Sequence, residues 1–296
     1  MENAMKYIHR TRGDRVFDAV NVAALCLLLA VILYPLIYVL SCSFSDPLLV
    51  VQSKITFLPL KPTLVAYQRV FRNELIMTGY QNTLFYTLLG TALNVAVTTM
   101  MAYPLSRHDF AARRPITMLT AFTMLFPGGM IPTFLVVRDL GLMNTVWSML
   151  LPTGLNYTYM LVVMRYMEGL PLELEEAAEI DGAGQIRILF VVVLPMALPI
   201  LATYTLYYAV DRWNEWWNGM LFIKTVSKQP LQLILRNLVQ DSTDASLDAQ
   251  ANGMTESYSD AIKMASIIVT MLPIMILYPF LQRFFLSGLT AGAVKG

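Results

Sequence analysis

The chain is poor in charge, histidine and cysteine, and each shortage removes a class of function. Only 14% of its 296 residues are charged while 56% are hydrophobic; a soluble domain carries roughly a quarter charged residues. A net charge of +1 gives no electrostatic reason to bind nucleic acid. Two histidines, His9 and His108, and two cysteines, Cys26 and Cys42, supply neither a metal-ligand cluster nor a disulfide framework. There is no G-x-x-x-x-G-K-[ST] phosphate loop, no H-E-x-x-H pair and no Ser–His–Asp arrangement. The chain therefore offers no catalytic residues, and any nucleotide hydrolysis that serves it must reside on another chain.

What the chain does have is apolar length. Hydrophobic runs lie near 19–42, 81–104, 115–137, 145–166, 187–210 and 264–286. Each suffices to cross about 30 Å of hydrocarbon as a helix, and lipid leaves no other option for an open chain. The expected fold is an all-α integral membrane protein with six transmembrane helices. A segment 1–18 precedes the membrane domain 19–286, and a tail 287–296 follows it. Val39-Leu40-Ser41-Cys42 faintly resembles a lipoprotein cleavage site, but the run from Ala19 to Ser41 is long for a signal peptide and reads as an uncleaved first span. Prolines interrupt several runs: Pro35, Pro127 with Gly128 and Gly129, Pro132, Pro195, Pro199, Pro273 and Pro279. Such breaks serve either packing or a pathway.

The basic residues divide almost evenly between alternate connections, so their total does not orient the chain. Density does. Lys6, Arg10, Arg12 and Arg15 precede the first span, and Arg107, Arg113 and Arg114 crowd the short second connection. Charge close to span ends dominates insertion, which puts both termini in the cytosol. Arg107, Arg113 and Arg114 then read as a lipid-headgroup cluster, with contact to a cytosolic partner as the minor alternative. The outer segments become about 43–80, 138–144 and 211–262, the last longer than ordinary connections and flexible around 241–252.

The most informative stretch is PLELEEAAEIDGAGQIRILFVVVLP at 171–195. This loop is acid-rich on the side where short loops favour Lys and Arg. Pro171 suits a helix start, early carboxylates suit the helix dipole, and Gly182 and Gly184 can end a helix of about three turns over 171–181. Ala177 and Ala178 let another surface approach closely, and carboxylates accept charge-assisted hydrogen bonds from a basic partner. On composition alone, a solvated surface helix accounts for it equally well.

The order of residues resembles the "EAA" loop of ABC-importer permeases: Glu176-Ala177-Ala178, Asp181-Gly182-Ala183 and Leu194-Pro195 stand at matching spacing. Ala102-Tyr103-Pro104-Leu105-Ser106-Arg107, Trp213-Asn214-Glu215-Trp216-Trp217, Tyr278 to Phe285 and the tail Gly292 to Gly296 extend the resemblance over nearly the whole chain. The family indicated is the carbohydrate-uptake branch of maltose and multiple-sugar type, shorter six-span member of the permease pair. The resemblance implies a type I ABC importer permease fold with a coupling helix at about 172–185. It implies that Glu176, Ala177, Ala178, Asp181, Gly182 and Ala183 meet a cytosolic ATPase, which holds ATP and Mg. The implied partners are a second permease in a heterodimer, two ABC ATPase subunits and an extracytoplasmic binding protein touching 211–262. The setting is the bacterial cytoplasmic membrane, and membrane lipids surround the chain.

For cargo, the aromatic and amide residues Tyr204, Tyr207, Tyr208, Trp213, Trp216, Asn156 and Tyr157, together with Tyr159 and Trp217, can stack on or bond a sugar. They equally suit an interfacial belt or helix packing. Nineteen methionines read as adaptable packing. An ABC permease for peptides is the nearest alternative. An ion-coupled secondary transporter is disfavoured, because charges such as Asp18, Arg138, Asp139 and Asp211 cluster at span ends and no internal repeat is evident.

Overall fold

A computed structural model describes residues 12–240 and 259–293; Lys6, Arg10, His9, the 241–252 stretch and the last residues of the tail lie outside them. The described residues are helical with no strand. The chain divides into two compact units, one comprising residues 1–70 and 245–268, the other 71–244 and 269–296.

In the first unit, α1 (Arg12–Ser43) is a long apolar helix whose most hydrophobic window is entirely unburied. Its C-terminal turn is held by serine hydroxyls. Ser41 Oγ donates to the Phe57 carbonyl at 2.6 Å and Ser45 Oγ to the Ser41 carbonyl at 2.6 Å. The short α2 (Pro47–Val51) is capped by Asp46, which accepts from the Leu48 N–H at 2.9 Å. Proline at the first helical position loses no bond there. Cys26 and Cys42 are both free thiols. Helix α3 (Val65–Arg72) runs to the boundary with the second unit.

The second unit is organised about α4 (Glu74–Ser106), about 50 Å long at 1.5 Å per residue. Asn73 caps it through the Leu75 N–H at 3.0 Å, and Glu74 opposes the helix dipole. Then follow α5 (Arg113–Leu125), α6 (Met130–Asp139), α7 (Val146–Leu150), α8 (Tyr157–Glu168), α9 (Glu173–Ile180) and α10 (Gln185–Ile188). A π-helical turn (Leu189–Val193) leads into α11 (Leu194–Trp213). Next come α12 (Trp217–Phe222), a 3₁₀ turn (Val226–Lys228) and a helical stretch at 231–240, and α13 (Ser259–Ala293) covers the last apolar run. Ala102, Leu105, Met160, Val163, Met164, Met167, Ile188, Val193 and Ala197 form the main core between α4, α8 and the fifth apolar run.

Among the described residues, three helical segments, Gly13–Ser43, Glu74–Ser106 and Gln185–Trp213, are long and apolar enough to cross a membrane. The α5–α6 pair makes a fourth if it counts as one broken span. The third apolar run is therefore not straight: it bends by 116° at Phe126–Gly129, where Gly129 adopts φ +86°, a backbone region that favours glycine. The fourth run also departs from a single helix. It splits into α7 and α8 around 151–156, at Pro152 and Gly154, where proline cannot donate a helical bond. In the fifth run, Pro195 and Pro199 both lack an N–H, and a π turn widens the ladder just upstream of the first of them.

Close approach fixes α4 against the 231–240 helix. A Cβ at Gly79 would lie 2.6 Å from Ile234 Cδ1 and 3.1 Å from the Leu231 Cα, whereas one at Gly184 would meet nothing within 4 Å. Gly79→Ala is expected to cost about 1–3 kcal/mol by overpacking, read as a lower thermal midpoint of the purified protein in detergent. Gly184→Ala is expected to shift stability by no more than about 0.5 kcal/mol.

Candidate functional site: a two-faced acidic helix and an aromatic cluster

The acidic loop folds as α9, two turns rather than three. It starts at Glu173, with Leu172 as an N-cap that has no side-chain bond to offer, so Pro171 stands outside it. Its end is a Schellman motif: the Gly182 N–H donates to the Glu179 carbonyl and the Ala183 N–H to the Ala178 carbonyl, both at 2.9 Å. Gly182, at φ +80°, occupies the left-handed position that this motif reserves for glycine.

The helix has two acid faces. On the inner one, Glu175 is only 8% exposed and sits 2.5 Å from Arg107 at the end of α4. The geometry is that of a close ion pair, not an aligned hydrogen bond, because neither the Arg107 guanidinium nitrogens nor Glu175 Oε1 meet a hydrogen-bond angle. Burial pushes the Glu175 carboxyl above its ordinary range; Arg107 counters this, and Glu179 and Asp109 reinforce it. One turn along, Glu179 Oε1 accepts from Gln185 Nε2 at 2.6 Å, and Gln185 Oε1 accepts from the Tyr103 hydroxyl at 2.9 Å. Ala178 and Ala183 are half-buried against the core.

On the outer face, Glu176, Ala177, Asp181 and Gly182 are exposed. Glu176 and Asp181 have no partner among the described residues. Ile180, 87% exposed, is an apolar side chain beside them. Of the six residues singled out in the sequence, the structure thus brings four to one open face and turns Ala178 and Ala183 inward.

A second ionic cluster ties α5 to α8. Glu168 accepts from Arg113 at 2.6 Å and from Arg165 at 2.8 Å. Burial alone would raise its carboxyl, but these two guanidinium groups outweigh that and hold it below the ordinary range. Arg107 and Arg113 are therefore engaged by Glu175 and Glu168, which corrects their reading as lipid-headgroup residues.

Against the middle of α4 lies a site that sequence reasoning missed. Arg212, 4% exposed, gives its donors to neutral acceptors. Nε and Nη2 reach Asn94 Oδ1 at 2.9 and 2.7 Å, Nη1 reaches the Met149 carbonyl at 2.7 Å and Thr153 Oγ1 at 2.8 Å, and Nη2 reaches the Leu150 carbonyl at 2.9 Å. Those carbonyls terminate α7, where a helix leaves its last C=O groups unpaired. Gly90 makes room, since a Cβ there would fall 2.7 Å from Arg212 Nε. In the sequence Arg212 was one basic residue at a span end among many, and no local signal marks it as buried.

Beside it, Tyr159, Tyr204 and Tyr207 pack as a cluster, with ring centroids 5.0 Å (Tyr159–Tyr204) and 5.6 Å (the other two pairs) apart. Tyr159 donates to Asp211 Oδ2 at 3.1 Å. The remaining candidates have structural duties. Tyr208 is buried and bonds Thr98 at 2.7 Å, Asn156 caps α8 through the Thr158 and Tyr159 N–H groups, and Tyr157 joins the core. Trp213 is buried and donates to the Thr270 carbonyl at 3.3 Å, so it is neither a belt residue nor a mouth residue. Trp216 packs edge-on against Trp217, and Arg236 lies 4.7 Å over its ring. A cavity of about 280 Å³ is lined by Thr153, Asn156, Tyr208, Asp211, Arg212 and Glu215.

Among the described residues the architecture is helical, with segments long and apolar enough to cross a membrane and breaks within the apolar runs. The comparisons specify the class. Residues 94–291 match the family model described as "Binding-protein-dependent transport system inner membrane component", and the chain belongs to that family. It is 37% identical to the polygalacturonan/rhamnogalacturonan transport system permease protein YtcP of Bacillus subtilis, over 96% of this chain and 99% of that one. Protein LplC of the same organism is also 37% identical, over 98% of each chain. The fold is shared with a solved bacterial ABC transporter involved in import of the acidic polysaccharide alginate: TM-score 0.85, 35% identity, 93% of this chain and 98% of that one.

Arg212→Met is expected to strand Asn94 and two buried carbonyls, each worth about 1–3 kcal/mol when left unsatisfied. The measurement is thermal unfolding in detergent, where a midpoint unchanged from wild type would contradict the capping role.

Proposed function

We propose that this chain is one permease subunit of an ATP-driven importer for oligosaccharides, with α9 as the element that docks on a cytosolic ATPase. The observation that carries the reading is the division of α9: one acid face is engaged by its own chain, and the other, bearing Glu176 and Asp181, is exposed and has no partner among the described residues. Carboxylates presented on a short, rigidly ended helix suit a basic groove on a partner. Family membership makes an ATPase the partner in view, together with a second permease and an extracytoplasmic binding protein. In this reading the termini and α9 face the cytosol, and 211–262 faces the binding protein. Nucleotide-driven closure of the ATPases moves α9 and the helices fixed to it as a body, and access to the pore alternates between the two sides.

The oligosaccharide cargo is inferred from the relatives. YtcP is named for polygalacturonan and rhamnogalacturonan, and others matching over most of their length are named for galactooligosaccharides and arabinooligosaccharides. The Tyr159, Tyr204 and Tyr207 rings beside Asp211 suit such a cargo, since aromatic faces accept sugar rings and a carboxylate accepts hydroxyl hydrogen bonds.

Two measurements test this. Glu176→Lys in vesicles carrying the assembled importer is expected to abolish substrate-stimulated ATP hydrolysis while the chain still inserts; retained stimulation would remove α9 as the docking element. For cargo, Tyr159→Ala and Tyr207→Ala are each expected to raise the KM for a transported oligosaccharide by roughly tenfold, the equivalent of about 1.4 kcal/mol. Calorimetry of the co-purified binding protein against neutral oligosaccharides, uronate oligosaccharides and peptides identifies the class, and a peptide ligand alone would overturn it.

A further inference from the structure

The inner face of α9 has its own assignment, resting on the docking role proposed for the outer face. Glu175 and Glu179 stand one turn apart, and both are read by the last turn of α4. Arg107 approaches Glu175 at 2.5 Å, with each side chain only 10% exposed, and Tyr103 reaches Glu179 through Gln185. The Arg107 guanidinium also lies 4.9 Å over the Tyr103 ring, so the two ties share a wall. Further along, at Asn94 and Thr98, the same helix is bound to α11 and α8 by Asn94–Arg212 and by Thr98–Tyr208, whose hydroxyl accepts from the Asn156 N–H at 3.3 Å.

We propose that Arg107 and Glu175 are a positioning pair that carries displacement of α9 into α4, and through it to the Arg212 and tyrosine sites that pack further along that helix. The physics favours position over stability as the role of this pair. A buried ion pair without aligned supporting bonds gains little net stability over an apolar pair, yet removing one member leaves an isolated charge in a poorly solvated place. What such a pair does provide is a steep dependence on geometry, since the Coulomb term changes sharply with separation where water is scarce. A loop held only by the half-buried Ala178 and Ala183 could slide when pushed from its outer face. A loop held by a 2.5 Å charge contact moves the helix it is attached to.

The experiment uses the assembled importer in vesicles, with Cys26 and Cys42 changed to alanine and Ile180→Cys as the reporter, a position 87% exposed beside the docking carboxylates. Two quantities are read: crosslinking of position 180 to the ATPase, and import per ATP hydrolysed. Arg107→Glu and Glu175→Arg, singly, are expected to keep the crosslink but lower import per ATP by about tenfold. The double exchange is expected to recover the ratio to within roughly threefold of wild type, the signature of a direct pair. If single reversals prevent assembly, Glu175→Gln and Arg107→Lys supply the same comparison with the shape preserved, and a smaller loss of the same sign is expected. Import per ATP unchanged in the single variants, or unrecovered in an assembled double variant, would overturn the pair. Absence of the crosslink in otherwise wild-type protein would instead overturn the docking role of α9, so the two failures are distinct.

Discussion

Everything in this fold answers to one constraint: an apolar medium cannot satisfy backbone groups, so each break in a helix needs a protein partner. The chain breaks its helices often. The fourth apolar run stops at Leu150 and resumes at Tyr157, which leaves the carbonyls of Met149, Leu150 and Thr153 without helical donors. Arg212 supplies all three, and Asn94 adds an amide hydrogen bond to the Thr153 carbonyl at 2.6 Å. A guanidinium suits such a break because it carries five donors in a fixed fork, and no other side chain could serve both ends at once. The same residue also binds α4 to the break, so the irregular segment becomes a joint between three helices.

The loop end solves a different problem with the same chemistry. A helix of two turns has little stability of its own, since isolated short helices are marginal in water. Its rigidity comes from both termini and one face. The Schellman turn closes its C-terminus, Ala178 and Ala183 pack on the core, Glu175 is paired with Arg107 at the end of α4, and Glu179 accepts from Gln185 of α10. An element fixed on one face can present the other without folding on contact, which spares a docking event the entropy of ordering.

How much of this the sequence disclosed depended on the range of the signal. Apolar run length is a local property, and all-helical membrane architecture followed from it. The glycine and proline breaks at 127–129 were legible for the same reason. The break at Pro152 and Gly154 was passed over because apolar residues on both sides kept the run's average high. The acidic loop was legible as a motif, but its two faces were not. Whether Glu175 or Glu176 points inward depends on where helix periodicity begins, and that is set by Arg107, far away in sequence. The tyrosines divided on similar grounds. Tyr204 and Tyr207 joined Tyr159, while Tyr208, between helices, bonded Thr98 across a distance no spacing rule covers.

These features place two polar joints along one helix, each built with a partner from a neighbouring element. At its C-terminal end α4 meets a carboxylate from α9 through the cation, Arg107. Near its middle it presents an amide, Asn94, to the cation from α11. Between them α4 stays helical, with Pro104 in its last turn. A continuous helix resists bending and transmits translation and rotation along its axis, whereas the bent α5–α6 pair and the π turn before α11 can absorb them. The arrangement therefore separates stiff from compliant parts. On the docking role proposed for α9, its displacement passes to α4 first, and the compliant segments are the ones free to rearrange around that helix.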